Sequence, residues 1–344
     1  YWISRKDNKL NLNILDSRIK VLEYGSIEAE NILKKAGAIF FSVSFLDVSP
    51  CPYNFYGKAV SVNLRHDSPF KNGRSRNFIY KFYVGIVNKI IRARYLLSIS
   101  DEFTKLRISE FEPGKVINAG FPRDELLYSE KYLQEAKKNL TEKIHRDYNT
   151  KIIAYMPTWR YNGDEIPELK KVFSPDFIDW LEKNNIVVIH KSHFVTECSN
   201  LEKDRSAKSS QIAQNIIKMN DISASELLAA SDILITDYSS CVWDYLILDR
   251  PVIHFAYDYE IFKTTGMGGS FICDFSEIAF EEMNCGSIVS NSEDLQKAII
   301  DGINFPDSQK ELRRQRRERF MTYEKPGSCE KIFNFVVREL EKQK

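Results

Sequence analysis

Short runs of apolar, largely β-branched residues recur along the chain with amphipathic helical stretches between them. This alternation limits the fold more than any other feature. The runs are Ala38–Val43, Ala59–Asn63, Tyr95–Ile99, Lys115–Asn118, Ile152–Tyr155, Ile186–Ile189, Ile233–Thr236 and Val252–Phe255. They are apolar throughout rather than at every second position, so they read as parallel strands covered on both faces. Helices are predicted at Glu28–Ala36, Asn77–Ala93, Glu130–Arg146, Pro175–Asn184, Ala224–Ala230 and Ser292–Gly302. Such alternation builds an α/β fold with right-handed crossovers. At 344 residues the chain is long enough for two domains. A polar helix ends within Glu142–Thr150 and a new strand starts at Lys151, which predicts an N-terminal domain over 1–147 and a C-terminal one over 148–344. Both are expected to be doubly wound, with ligands held at strand carboxyl ends in a cleft between them.

Charge narrows the choice of partners. Lys and Arg number 49 against 48 Asp and Glu, a formal net charge of +1, so no nucleic-acid partner held by bulk charge is expected. Basic residues do concentrate locally. Lys71, Arg74, Arg76, Lys81, Lys89, Arg92 and Arg94 surround the helical stretch Asn77–Arg94, whose Phe78, Ile79, Phe82, Ile86, Ile90 and Ile91 recur at helical spacing. That combination predicts docking on an anionic membrane surface. The plain alternative is an apolar face packed on a sheet beneath solvated charges. A second basic stretch, Lys310–Arg319, reads as a solvated helix face. No apolar run reaches the ~20 residues that span a bilayer. The six cysteines form no CxxC pair and no zinc-ligand spacing with histidine, so no metal is expected. Scattered single cysteines read as reduced, mostly buried thiols of a cytosolic protein.

The chemistry-bearing residues cluster after predicted strands. Ile233–Thr236 runs directly into Asp237-Tyr238-Ser239-Ser240 and then a helical stretch, Cys241–Leu248. Ser and Asp favour helix N-caps, so the strand-to-helix turn falls at Asp237–Ser240. Free N–H groups, the helix dipole and two hydroxyls there suit an anion. After the strand ending at Tyr155 come Pro157, Thr158 and Arg160, the last offering a forked donor to phosphate. His66 follows Ala59–Asn63, and His190 and His193 follow Ile186–Ile189. A histidine so placed can take a proton from a hydroxyl near neutral pH. His254 lies inside an apolar strand and reads as a hydrogen-bonded core residue; His145 lies in the polar boundary helix. The chain has no GxGxxG, no Walker loop and no DxD pair at a strand end, which disfavours dinucleotide enzymes, NTPases and metal-dependent sugar transferases.

These segments together resemble the CDP-glycerol glycerophosphotransferases, the teichoic acid primases and polymerases and their capsule-making relatives. The stretch Asp232–Ser240, followed by Asp244-Tyr245, Arg250-Pro251-Val252 and Ala256-Tyr257-Asp258, is similar to the family signature. Tyr155–Arg160 is similar to its APT-aromatic-R segment, Gly120–Asp124 to GxPRxD, and Gly286–Val289 to GPIV with Ser for Pro. Arg65-His66-Asp67-Ser68-Pro69-Phe70-Lys71 stands where the family has Trp-His-Gly-Thr-Pro-Leu-Lys, with Asp in the Gly position. Lys191-Ser192-His193-Phe194 fits the K/R-x-H-P segment best, with His190 the other register.

The resemblance implies a GT-B architecture of two Rossmann-like domains, the first lacking its initial βα unit because the chain is trimmed before Tyr1. It implies a CDP-glycerol or CDP-ribitol donor held by Thr158, Arg160, Lys191, Thr236, Asp237, Ser239 and Ser240, with no separate cofactor. It implies catalytic roles for His66 and His193 and a lipid-linked or polymer acceptor. The implied location is the cytoplasm, peripheral on the inner face of the membrane. An alditol phosphate, glycerol phosphate first, would pass to an acceptor hydroxyl with release of CMP. A GT-B glycosyltransferase using a nucleotide sugar would suit the same cleft, and so would a nucleotide-binding module without turnover.

Overall fold

The computed structural model describes residues 1–5, 16–42, 45–50, 58–65, 71–74, 93–105, 115–158, 169–192, 209–213, 215–265, 272–275 and 280–343. In chain order the strands are β1 (Trp2–Ser4), β2 (Val21–Glu23), β3 (Ala38–Phe41), β4 (Val60–Asn63), β5 (Lys71–Arg74), β6 (Tyr95–Ser98), β7 (Lys115–Asn118), β8 (Lys151–Tyr155), β9 (Ile186–His190), β10 (Ser209–Ala213), β11 (Ile216–Met219), β12 (Ile233–Thr236), β13 (Val252–Phe255), β14 (Ile272–Phe275) and β15 (Ser287–Val289). The helices are α1 (Ile27–Leu33), α2 (Glu130–Lys143), α3 (Leu169–Val172), α4 (Pro175–Lys183), α5 (Ala224–Ala230), α6 (Cys241–Leu246), α7 (Tyr259–Thr265), α8 (Phe280–Met283), α9 (Ser292–Asn304), α10 (Lys310–Phe320) and α11 (Ser328–Glu341).

The chain divides into two compact units, one of Tyr1–Asp67, Ile79–Pro122 and Tyr323–Lys344, the other of Ser68–Phe78 and Arg123–Thr322. This differs from the predicted partition at 147/148 in three places, the first being Ser68–Phe78, which joins the second unit. Helix α2 belongs to the second unit, because Lys137 Nζ bonds the Asp232 carboxylate at 2.7 Å; just beyond α2, Arg146 bonds Asn215 at 2.9 Å. The C-terminal segment returns to the first unit. There Tyr323 N–H donates to Ile99 O at 2.8 Å, and the Tyr95 ring meets Phe335 edge-on at 4.9 Å. A sequence boundary marks where one element stops, whereas unit membership follows from partners far along the chain.

In the first unit, β3, β4, β6 and β7 form a parallel sheet in that order, with β1 and β2 as a separate parallel pair. The predicted strands recur here within a residue or two. Just past β4, Arg65 has φ +62 and its N–H donates to Asn63 Oδ1 at 2.9 Å. An Asx turn therefore follows β4, with an arginine in the left-handed region that side chains seldom enter.

In the second unit, the seven-stranded sheet runs β10-β11-β9-β8-β12-β13-β15, parallel except for β10 on the edge. Leaving β10 aside, the chain lays down strands outward from β8 on one side through β9 and β11, then returns and continues on the other through β12, β13 and β15. That is the doubly wound order 3-2-1-4-5-6, and its direction reverses between β8 and β12. Ile153, Val188, Ile233, Ile235 and Ile253 are buried in one cluster with Phe177 and Leu181 of α4 and Leu295 and Ile299 of α9. Each such side chain contributes about 1.5–3 kcal/mol of burial free energy. Ser174 and Ser223 start α4 and α5 by accepting the N–H of Phe177 and Glu226.

Two basic stretches take different forms. The Lys71–Arg74 backbone is a strand, β5, paired antiparallel with β14; residues 75–92, which include most of the predicted docking helix Asn77–Arg94, lie outside the described residues. The other stretch is α10, and only part of it is a solvated face: Lys310, Arg314 and Arg319 are exposed, whereas Arg313, Arg316 and Arg317 turn inward. Arg313 is buried, with Nε donating to Asp249 Oδ1 at 2.9 Å. Arg317 lies 3.0 Å from the same carboxylate, Arg316 Nε donates to Asn284 O at 2.9 Å, and Arg319 pairs with Glu282. Among the described residues no helix is long and apolar enough to cross a membrane.

Candidate active site

The direction of winding reverses at the carboxyl ends of β8 and β12, where an open α/β sheet gathers its ligand. The residues there are Thr158 and Asp237, both buried and bonded to each other. One oxygen, Asp237 Oδ1, accepts from Thr158 N–H at 2.8 Å, Thr158 Oγ1 at 2.6 Å and Tyr238 N–H at 2.6 Å. The carboxylate thus ties the segment leaving β8 to the turn leaving β12. The sequence assigned Asp237 to helix capping and donor contact; in the fold its Oδ1 makes this clamp.

The other motif residues divide in a similar way. The Thr236 hydroxyl donates to the Met156 carbonyl just past β8 at 2.8 Å. Ser240 stands at the N-cap of α6 but has helical dihedrals, and its side chain makes no capping bond. Cys241 N–H reaches Ser239 Oγ only at 3.5 Å. Capping by residue type is therefore a correction: the two half-buried hydroxyls are not committed to the helix start. Lys191, after β9, donates from Nζ to Asn220 O at 3.2 Å. His66, Arg160 and His193 lie outside the described residues. His190, the alternative register, ends β9 half-buried with its ring 4.9 Å from that of Tyr155. His145 is exposed just past α2, at φ +54.

Behind the turn lies His254, fully buried in β13. Cys285 N–H donates to its Nε2 at 3.1 Å, so the proton sits on Nδ1 and is donated to Asp237 O at 2.9 Å. Burial pulls the imidazole down to about 4, against an opposing pull from Asp237. The ring is therefore neutral at physiological pH and serves as a fixed bridge, as the sequence expected of a core histidine. Tyr238 stacks on Phe262 at 4.0 Å and donates to Asp258 Oδ1 at 3.0 Å. Cys241 is no ready nucleophile, since burial pushes its thiol up to about 11. Cys329, by contrast, is exposed rather than buried.

Sequence reasoning missed how the separate motifs interlock. Arg123 holds Asp244 with two bonds, at 3.2 and 2.8 Å, joining the Gly120–Asp124 segment to α6. Arg250 donates to Ala229 O and Ser231 O at the end of α5. Gly286 admits no side chain, because a Cβ there would lie 1.8 Å from Val252 O. In the first unit, Gly120 and Phe121 N–H groups donate to Ser328 Oγ and Glu324 Oε2. The spacing of these motifs gave no hint of the pairings. Among the described residues no group of three or more His, Cys, Asp or Glu side chains could hold a metal ion.

Comparison with known proteins places this geometry. Residues 1–338 match the family profile described as CDP-Glycerol:Poly(glycerophosphate) glycerophosphotransferase. The chain is 30% identical over 243 residues to a teichoic acid poly(glycerol phosphate) polymerase of Bacillus spizizenii, covering 69% of this chain and 57% of that protein. It is 28% identical over 228 residues to the teichoic acid ribitol-phosphate polymerase TarK of Staphylococcus aureus, covering 65% and 40%. The chain thus spans about half the length of the curated relatives it matches. A solved structure of the wall teichoic acid polymerase TagF superposes with a TM-score of 0.73 at 21% identity, covering 99% of this chain and 82% of that one. The fold is therefore GT-B-like, with two Rossmann-like domains. The chain belongs to the CDP-glycerol:poly(glycerophosphate) glycerophosphotransferase family.

Proposed function

We propose that the protein transfers an alditol phosphate, glycerol phosphate first, from a CDP-alditol to a hydroxyl of a lipid-linked or polymer acceptor. The acceptor oxygen attacks the phosphorus nearest the alditol. A new P–O bond forms, the P–O bond to CMP breaks, and CMP leaves. The hydroxyl proton passes to His66 as general base. His193, or His190 in the other register, assists as the second histidine. Arg160, Lys191, Ser239, Ser240 and the N–H groups of the 237–240 turn meet the diphosphate charge, so the scheme uses no metal and no cofactor.

The observation that carries this reading is the family match over residues 1–338, taken with the Thr158–Asp237 clamp at the reversal of the doubly wound sheet. The names of the relatives support alditol-phosphate transfer and divide between glycerol and ribitol. The protein works at the inner face of the cell membrane, held peripherally through the apolar and basic stretch Asn77–Arg94. The test is CMP release with CDP-glycerol and CDP-ribitol side by side, with an acceptor analogue and with a chelator present. Turnover with CDP-glycerol that persists in chelator, and falls about 100- to 10,000-fold in His66→Ala, is expected. Turnover with neither donor, or normal turnover in His66→Ala, overturns the reading.

A further inference from the structure

The far edge of the same sheet carries a second charged cleft. It opens at the amino ends of β8 and β12, the edge opposite Thr158 and Asp237, and β8, at five residues, separates the two edges by about 17 Å. Helix α2, the start of β8, the end of α5 and residues Asp232 and Arg250 line a cleft of about 540 Å³. Three cations line it, Lys137, Lys151 and Arg250, against two acids, Asp232 and the exposed Glu130. Asp232 is already shared: its carboxylate accepts Lys137 Nζ at 2.7 Å, Lys151 Nζ at 3.2 Å and Ile152 N–H at 2.8 Å.

One carboxylate between two lysines leaves positive charge at the floor of the cleft. Burial holds the Lys137 ammonium below the usual lysine range. Asp232 opposes that shift, while Lys151 and Arg250 push in the same direction as burial. An anion entering here would relieve that repulsion. The remaining lining mixes apolar Leu133, Ala229 and Ala230 with Gln134, Tyr148 and Asn149, which can donate to or accept from hydroxyls. The volume exceeds what a bare oxyanion needs and falls among small-molecule sites, at about 300–1,000 Å³.

We infer that this cleft is a distal binding site for a polyol phosphodiester, a segment of alditol-phosphate polymer, with Lys137, Lys151 and Arg250 facing the phosphate and Gln134 and Tyr148 the hydroxyls. The identity of the ligand rests on the proposed transfer reaction; the charge and shape of the cleft do not. A polymer segment held here would keep the product on the enzyme after its growing end leaves the donor site. The plain alternative is an ion cluster whose whole role is to staple α2 to β8 and β12.

The test uses the full chain, with its donor site saturated by CDP, and a fluorescently labelled soluble glycerol-phosphate oligomer as probe. Gln134→Glu adds a carboxylate to the cleft at an exposed position, and Lys151→Gln removes a half-exposed cation. Each should weaken oligomer binding about tenfold while leaving CDP affinity and the thermal midpoint unchanged. Unlabelled oligomer should displace the probe, and CMP or inorganic phosphate should not at equal concentration. Equal oligomer affinity in wild type and both variants overturns the site, and displacement by CMP or phosphate as effective as by oligomer overturns its ligand class. If the variants lose oligomer binding while no CDP-alditol is turned over, the transfer reaction fails and the site stands. If turnover is intact and the variants bind normally, the site alone fails.

Discussion

Replacing His254 with Phe should give a protein whose loss of stability shrinks as the solution is acidified. The ring sits wholly inside β13, bridging Cys285 N–H and Asp237 O. Phe fills the space but leaves that donor and acceptor unpaired, each at about 1–3 kcal/mol, so a deficit of roughly 2–6 kcal/mol is expected near pH 7.5. Acid changes the balance. Burial depresses the folded imidazole to about 4, whereas the ordinary value is 6.5. The unfolded chain therefore takes up its proton first. The stabilisation from neutral His254 is complete above about 6.5 and is lost as pH falls from there to about 4. That gap corresponds to about 3 kcal/mol. The variant lacks this titration, so its deficit should shrink by most of that amount over the same interval. Urea unfolding of both proteins at several pH values, followed by tryptophan emission, measures it. A deficit that stays constant between about pH 7.5 and 4 would refute the buried neutral bridge.

Four further outcomes follow from particular contacts. Gly286→Ala should destabilise by about 3 kcal/mol and lower Tm by about 6–12 °C, because the new methyl meets the Val252 carbonyl and backbone cannot yield cheaply; an unchanged melting curve would contradict the close approach. Asp249→Asn keeps the left-handed conformation at φ +53 but strips the charge facing buried Arg313, and should cost about 3 kcal/mol in urea unfolding. Ser240→Ala should weaken CDP binding by about 1–2 kcal/mol in a calorimetric titration; unchanged affinity in both the Ser239 and Ser240 variants removes the turn from the donor site. Anionic vesicles should cosediment the wild type at low salt, and a variant with Arg74, Arg76, Lys81 and Lys89 changed to Ser should bind weakly; equal binding excludes the Asn77–Arg94 stretch as the docking surface.

Legibility followed from how each element is stabilised. Strands β8, β9, β12 and β13 are apolar throughout because both faces are covered, so a linear pattern revealed them, two of them to the residue. Strands β5 and β10 carry the sequences KNGR and SSQIA, which hold no apolar run. They are strands because of partners supplied elsewhere, and for β5 that partner lies about two hundred residues on. Helix α10 was legible as a helix but not in its role, since Arg313 finds Asp249 only once the fold is complete. At the candidate site, residue type located the turn after β12 and misassigned its bonds. Ser and Asp are good caps in general, yet here the segment leaving β8, four strands earlier in the chain, supplies Thr158, and Asp237 bonds that.

The residues that identify the family therefore fall into two groups by what their side chains touch. Thr158, Asp237, Thr236, Tyr238, Asp244 and Arg250 bond to other parts of the second unit, and together they fix the path of the chain around the ends of β8 and β12. Ser239 and Ser240 are left with at most one long bond between them. Such a division suits the diphosphate site proposed for this turn. Hydroxyls and N–H groups that must meet developing charge contribute most when they need not reorganise as it appears. A turn clamped by Asp237 from the front and by His254 from behind holds its donors in place before any ligand arrives. Substituting the clamp would then act through the precision of the turn, whereas substituting the serines would remove a contact outright.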